Sequence, residues 1–589
     1  MLLTSWIRRV QRKLQLARFR RARRRQRRLP LSVVEFLEDR TLLSSLVIDT
    51  FTPGVGVQIT NNDLDINGDG VADFDTVVID SVAFSGDGGL GVNITLNDLA
   101  FDSLTIDSLD ISGTGGTGVN IDLTNVAIDS LVIENSSIVS TVGGGVSINL
   151  HDSQIGDLTV FSTTINGGFG AGLSLDLTSQ TRNTILGKLD ISQSTIDGVA
   201  ITATGTTGTV NDADNTNPLQ ITSSGHNLAN DDPNFEDPFV IISGVEGNLA
   251  ANIGDSITVL DSNTFQLDHV DGTAAGTYTS GGAWTLPSII RNASIRENTI
   301  SGNSGEDGLA ITLVDSQAPN LVIEDNVSIR GISIDLTRSP IDGLKIQNNA
   351  NIQADQRDGI AFTLNNSSLT NAVIQNNTIN GNGTSGGGGV KFDATDSNLD
   401  VLVSGNTIDN TIGDGIGVTT TVTSDFVSTN GGPLTVDLSP LANEVQRLDL
   451  TGQPTGGTFT LTYDGQTTAA LPFNALPFQV EQALEALPNI NPGDVKVTGG
   501  PLPVSPIFIE FTGALGQQDV STLVAASALT GGTFPEATVT VVREGSADKE
   551  GTTGGIRSNT ITNNDGAGVR IDLTNNTRLD LTLASNTIS

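Results

Sequence analysis

At 589 residues the chain is too long for one simple core, and 67 glycines with scarce helix-forming runs call for many short strands joined by turns. It has no cysteine, which excludes disulfides, thiolate metal sites and thiol chemistry. Residues 1–40 carry 13 basic and 3 acidic residues, a net of +10, whereas the remainder carries 16 basic and 63 acidic residues, a net of −47, so the body repels nucleic acid and anionic membranes.

Residues 1–29 form a basic, Arg-rich leader without the uninterrupted apolar core of an ordinary signal peptide. No apolar run in the chain reaches the roughly 18–20 residues of a membrane helix, so no transmembrane helix is expected. Residues 30–45 follow as a separate segment that contains Leu37-Glu38-Asp39-Arg40-Thr41-Leu42-Leu43-Ser44. This run resembles the "LEPRxLL" motif at the N-termini of large planctomycete surface and exported proteins, with Asp39 in place of the motif's proline. The resemblance implies export, to the cell envelope or beyond it.

From residue 46 a repeat begins. A glycine precedes an apolar strand at Gly56, Gly91, Gly118, Gly145, Gly172 and Gly198, again at Gly308, Gly331, Gly359, Gly389 and Gly415, and at Gly568. After most of them alternate residues are apolar, as in Val119, Ile121, Leu123 and Val146, Ile148, Leu150, with Asn120, Asp122 and Ser147, Asn149 between. Period 2 describes a strand with one buried face. A second strand ends 15 residues after the glycine, at Ile106, Ile133, Val160 or Ile374, and a third is marked five residues on by Ile111, Ile138, Ile165 or Ile379. Three short strands per 23–30 residues describe one coil of a solenoid. The expected fold class is all-β, a right-handed parallel β-helix interrupted by two small β-rich inserted modules, with the glycines supplying tight corners. The β-helix occupies three stretches, 46–204, 289–429 and 548–589; in the last of them the chain stops within a coil and leaves an uncapped end.

Three breaks in the spacing fall between the first and second strands. The first, at 65–76, holds "DINGDGVADFD", where Asp65, Asn67, Asp69, Gly70, the Val71 carbonyl and Asp73 match positions 1, 3, 5, 6, 7 and 9 of an EF-type Ca²⁺ loop. The pattern resembles the calcium loops of dockerin-like and thrombospondin-like repeats. Thr76 stands where the bidentate acid belongs, leaving Asp75 as a substitute ligand; the alternative is a solvated Asn/Asp/Gly turn. The second break, 205–288, contains "ISGVEGNLAAN", "VLDSNTFQLD" and "YTSGGAW". It resembles a small β-barrel module related to the first catalytic cysteine half-domain of ubiquitin-activating enzymes, a likeness of fold only, since there is no cysteine. The third, 430–547, reads as a β-rich module with one short helix, from the spacing of Val480, Leu484 and Leu487. Breaks in one shared loop emerge on one side, and that side is the expected binding face.

Catalysis finds little support in these residues. The "GHG" and "RIK" of polygalacturonase-like enzymes do not occur on the repeats. The outward acids Asp122, Asp176, Asp335, Asp393 and Asp572 alternate with uncharged residues and read as a solvated face; His151, His226 and His269 read as surface residues. The leading expectation is a non-catalytic surface or secreted β-helical protein of adhesion, ligand display or envelope structure, its partner a polysaccharide or other surface ligand. The alternatives are a carbohydrate-active β-helix enzyme, lyase or hydrolase, and a phage-tail-like fibre.

Overall fold

The computed structural model describes residues 45–589 except 49–55, 67–71, 86–90, 231, 274–275, 303–306, 355–356, 382–386, 422–433, 439–442, 452–453, 504–505, 517–519, 532–534, 544–554, 574–576 and 582. The leader and all but the last residue of the export-type segment therefore lie outside the described residues.

The alternating strands stack as three parallel sheets. The first face has 12 strands, one after each repeat glycine, running from Val57–Thr60 through Val119–Thr124 and Val146–His151 to Val569–Leu573. Its register is residue for residue: Val119, Ile121 and Leu123 lie beside Val146, Ile148 and Leu150. All six are fully buried. The third face also has 12 strands, and the second has 17 because several of its strands are split. Inward residues of all three faces merge into one continuous core. Each fully buried aliphatic side chain contributes about 1.5–3 kcal/mol before chain entropy is subtracted. The fold is a parallel β-solenoid.

Glycine serves some of the corners, with positive φ at Gly56 (72°), Gly198 (85°) and Gly331 (69°), but not all of them. Gly91, Gly118 and Gly145 are not in the left-handed region; a Cβ on Gly118 would stand 2.6 Å from Ile138 Cγ2 and 2.8 Å from the Gly145 carbonyl oxygen. These positions need glycine for close approach of the next coil. Positive φ falls instead on Asn125, Asp152, Asn135 and Ser162, at 50–54°, residue types that tolerate it through local hydrogen bonding. Asp152, Asn135 and Ser162 are each followed by a small polar residue turned inward, Ser153, Ser136 and Thr163, whereas Asn125 is followed by the buried Val126. Between the second and third faces these polar residues are Ser136, Thr163 and Ser194, then a run of asparagines from Asn298 to Asn586. Asn377 is typical: its Nδ2 donates to the Ile346 carbonyl (2.9 Å) and to Asn406 Oδ1 (3.0 Å), while its Oδ1 accepts from the Asn349 backbone N–H and Nδ2. The ladder satisfies buried corner groups that would otherwise be orphaned.

Two antiparallel regions carry separate cores. Residues 206–286 form a seven-stranded sheet around Phe265 and Trp284, whose Nε1 donates to Ser223 Oγ. The sheet is tied to the solenoid by Arg291 to Glu236 (2.8 Å), by Asn183 to the Phe239 backbone and by Arg182 over the Phe235 ring. Residues 445–543 form two four-stranded sheets and the helix Pro477–Glu485, with Val480, Leu484 and Leu487 buried as their spacing predicts. This second region does not leave from the corner after the first face. Leu434–Leu438 already pairs with Asn398–Ser404 on the second face, and Gly555–Arg557 completes the same pairing. The departure thus splits a second-face strand after Leu438, and the "LTVDL" alternation belongs to a coil. Among the described residues no helix is long and apolar enough to cross a membrane.

Candidate functional site

The loop at 65–76 leaves the first face through a single turn, Asn61–Leu64, whose Asp63 carboxylate accepts from the Thr60 N–H. Its ends meet: the Asp73 N–H donates to the Leu64 carbonyl (2.7 Å), and the Ile66 N–H donates to Asp73 Oδ2 (2.9 Å). Asp65 and Asp73 are thereby drawn to one end of the loop, while Asn67, Asp69, Gly70 and Val71 lie outside the described residues. No group of three or more acidic or histidine side chains with metal-holding geometry occurs among the described residues.

The outward positions of the first face form two columns. One runs Gln58, Asn93, Asn120, Ser147, Ser174 and Ala200, then Ala310, Ser333, Ala361, Lys391, Gly417 and Arg570. It begins as an amide ladder, Asn120 Nδ2 to Asn93 Oδ1 (2.9 Å) and Asn93 Nδ2 to Gln58 Oε1 (2.9 Å). It then shrinks to Ser and Ala and ends with a glycine between two cations. The neighbouring column holds the predicted acids, and its last members are Asp335, Thr363, Asp393, Thr419 and Asp572.

Where the columns end, the surface is hollowed into a groove of about 410 Å³. Gly417 and Thr419 form its floor, with Lys391 and Asp393 on one side and Arg570 and Asp572 on the other. Lys391 Nζ is 2.8 Å from Asp393, and Arg570 Nε is 2.7 Å from Asp572. Asp358 and Asp414, on the corner before the strands, stand 4.0 Å from Lys391 and Arg570 respectively. Asp414 Oδ1 also accepts from the Ala567 N–H across 153 residues of chain. The hydrogen bond to Asp393 raises the Lys391 pKa above its ordinary value, and that to Asp572 raises the Arg570 pKa. Both groups are held protonated.

The structure brings Asp393 and Asp572 to this groove, whereas Asp122 and Asp176 lie far along the same face, beside Asn149. Sequence reasoning missed Lys391, Gly417 and Arg570; the signal was the break in the outward small-residue column. The groove lies on the outward side of the first face, not at the corner from which the loop at 65–76 and the sheet at 206–286 depart.

Two of the three histidines lie in the sheet at 206–286, while half-buried His151 ends the first-face strand Val146–His151. His226 is buried rather than exposed, accepting at Nδ1 from the Leu228 N–H with its ring edge against Phe265. His269 Nδ1 faces Asp255 (2.9 Å) and Ser256 Oγ (3.3 Å). A nucleophilic triad needs the serine and the acid on opposite ring nitrogens. Here both meet the same one, so the cluster orients the imidazole ring and does not activate Ser256. The Asp255 hydrogen bond raises the His269 pKa, and burial raises that of neighbouring Asp268.

Fold and groove together define a parallel β-solenoid repeat protein with an ion-paired groove on its outward face. No protein-family model matches the chain. Over 93 residues it is 41% identical to the tail sheath protein of Mycobacterium phage Bxz1. The match covers 15% of this chain and 15% of that protein, so the likeness is to a segment.

Proposed function

We propose that this is a non-catalytic β-helical repeat protein, secreted or held at the cell envelope, that binds a polar surface ligand such as a polysaccharide on the outward side of its solenoid. The observation that carries the reading is the state of the groove charges. A lyase-type base must become neutral to take a proton, whereas Lys391 and Arg570 are each paired with a strand-mate carboxylate that holds them charged. Fixed cations beside fixed carboxylates offer hydrogen bonds to hydroxyl groups, and neither cation is free to act as the base of a lyase.

The same proposal gives Ca²⁺ a structural place in the loop at Asp65, Asn67, Asp69, Val71 and Asp73. Titration of the full chain with Ca²⁺ is expected to raise the melting temperature, with EDTA reversing the rise; Asp65→Ala would abolish it. A Ca²⁺-insensitive melting temperature would remove the ion. A second reading, a phage-tail-type fibre, draws on the 93-residue likeness to a tail sheath protein, and ordered polymers of the purified chain under the electron microscope would favour it.

The experiment for the main reading is a polysaccharide array probed with the full chain, with and without EDTA, while new reducing and unsaturated ends are counted. Binding without new ends is the expected result. New ends would overturn the non-catalytic assignment.

A further inference from the structure

We infer that the notch at Gly417 is a subsite for one pyranose ring of a neutral, hydroxyl-rich polysaccharide. The inference rests on the ligand-binding reading above and names the ligand class and the position that selects it.

Four features converge on Gly417. It interrupts a column of outward side chains at the one place where both neighbours are long and cationic: Lys391 precedes it and Arg570 follows it in register. Adjacent strands are about 4.8 Å apart, so the two flanking strands leave an opening of roughly 9–10 Å across the glycine. A ring can settle there on backbone rather than on side chain. The opening is not forced by packing: a Cβ on Gly417 would meet nothing nearer than Asp414, at 3.8 Å. A Cβ on Gly118, a repeat glycine, would by contrast collide at 2.6 and 2.8 Å. Gly417 is therefore spare to the fold.

Charge selects the class. Around the notch stand two cations, Lys391 and Arg570, against four carboxylates, Asp358, Asp393, Asp414 and Asp572. An anionic sugar would face a net negative lining in a chain whose formal charge is −37. A hydroxyl both donates and accepts. Vicinal hydroxyls can give hydrogen bonds to Asp393 or Asp572 and take them from Lys391 or Arg570 without breaking either ion pair. The Asp414 and Asp358 oxygens that stand 4.0 Å from the cations lie along the strand direction from the notch, and Thr419 adds an exposed hydroxyl on its other side.

The test uses the full chain on immobilised neutral, uronic-acid and amino-sugar polymers, with Gly417→Leu beside the parent. The expected result is binding to neutral polymers and at least roughly tenfold weaker binding by Gly417→Leu, because a filled notch excludes the ring, with the melting temperature unchanged. Lys391→Gln with Arg570→Gln provides a second variant that leaves the floor intact, and it too is expected to lose binding. Equal binding by parent and Gly417→Leu would remove the notch while leaving the ligand-binding reading in place. Preference for uronic-acid or amino-sugar polymers would overturn the neutral class. No binding to any polymer by the parent would sink both the inference and the reading on which it rests.

Discussion

The coils before residue 205 and those after residue 288 use one inward pattern and two different corner and surface patterns. Both runs place Val, Ile and Leu of the first face in register over a single core. In the earlier run the corner before the third face holds Ser136, Thr163 and Ser194, and each rung makes few bonds: Thr163 Oγ1 donates to the Phe161 carbonyl and accepts from the Ser136 N–H. In the later run the corner holds asparagines such as Asn377, whose side chain bonds to backbone and side chain of the preceding coil and to the side chain of the next. The outer surface differs too, an uncharged amide ladder giving way to Lys391, Gly417 and Arg570. Inward residues thus specify the coil. Corner residues determine how firmly coils are joined, and outward residues are where the two runs differ most in charge.

The comparison is broken most severely inside the later run. Phe362 and Phe392 stack there with ring centroids 4.8 Å apart and planes 5° from parallel. Phe362→Ala is expected to cost about 3–5 kcal/mol, read as faster amide exchange in residues 360–365 and 390–395 with the earlier coils unchanged. Next is Asn377→Ala, which strips partners from four buried groups and is expected to cost about 2–3 kcal/mol. Thr163→Ala, its counterpart in the earlier run, is expected to cost about 1 kcal/mol. Equal costs, measured by local amide exchange, would erase the distinction between the two corner types.

A smaller effect belongs to the sheet between the runs. His269 has a raised pKa in the fold, so its contribution is fully present below the unfolded value and is lost as pH rises through the folded value. The melting transition of that sheet is expected to fall as pH rises above the ordinary histidine value of about 6.5. His269→Gln, which leaves Asp255, Asp268 and Asp237 in place, should flatten this dependence; a profile identical to the parent's would contradict it. The smallest effect is at Asn120→Ala on the outward amide ladder, expected at about 0.5 kcal/mol or less.

Much of the solenoid was legible because its signal is local. Alternation after Gly118 or Gly145 gives strand, face and register at once, and Val480, Leu484 and Leu487 declare the short helix in the same way. Gly91, Gly118 and Gly145 misled because their neighbour is one coil away: nothing near Gly118 in sequence shows Ile138 and Gly145 pressed against it. The asparagine ladder was visible as recurring "NNTI" and "SNTI", yet it served only to mark the third strand. A polar residue two positions before a buried isoleucine in coil after coil was the further signal. "LTVDL" at 434–438 was overlooked because the coil it belongs to is interrupted immediately afterwards. The groove was hidden for a related reason, since Arg570 reaches the side of Gly417 only after the chain has completed the sheets at 445–543. Of the calcium-type loop, the folded arrangement of Asp65 and Asp73 adds a closed base to what the spacing alone implied.

The central claim, that recognition belongs to the outward side of the later coils, is tested most directly by hydrogen–deuterium exchange of the full chain with and without soluble neutral polysaccharides. The account predicts ligand-dependent protection confined to residues 390–395, 416–421 and 569–573 and the corner around Asp358 and Asp414. Protection that appears instead in the coils before residue 205, or in the sheet at 206–286, would contradict it.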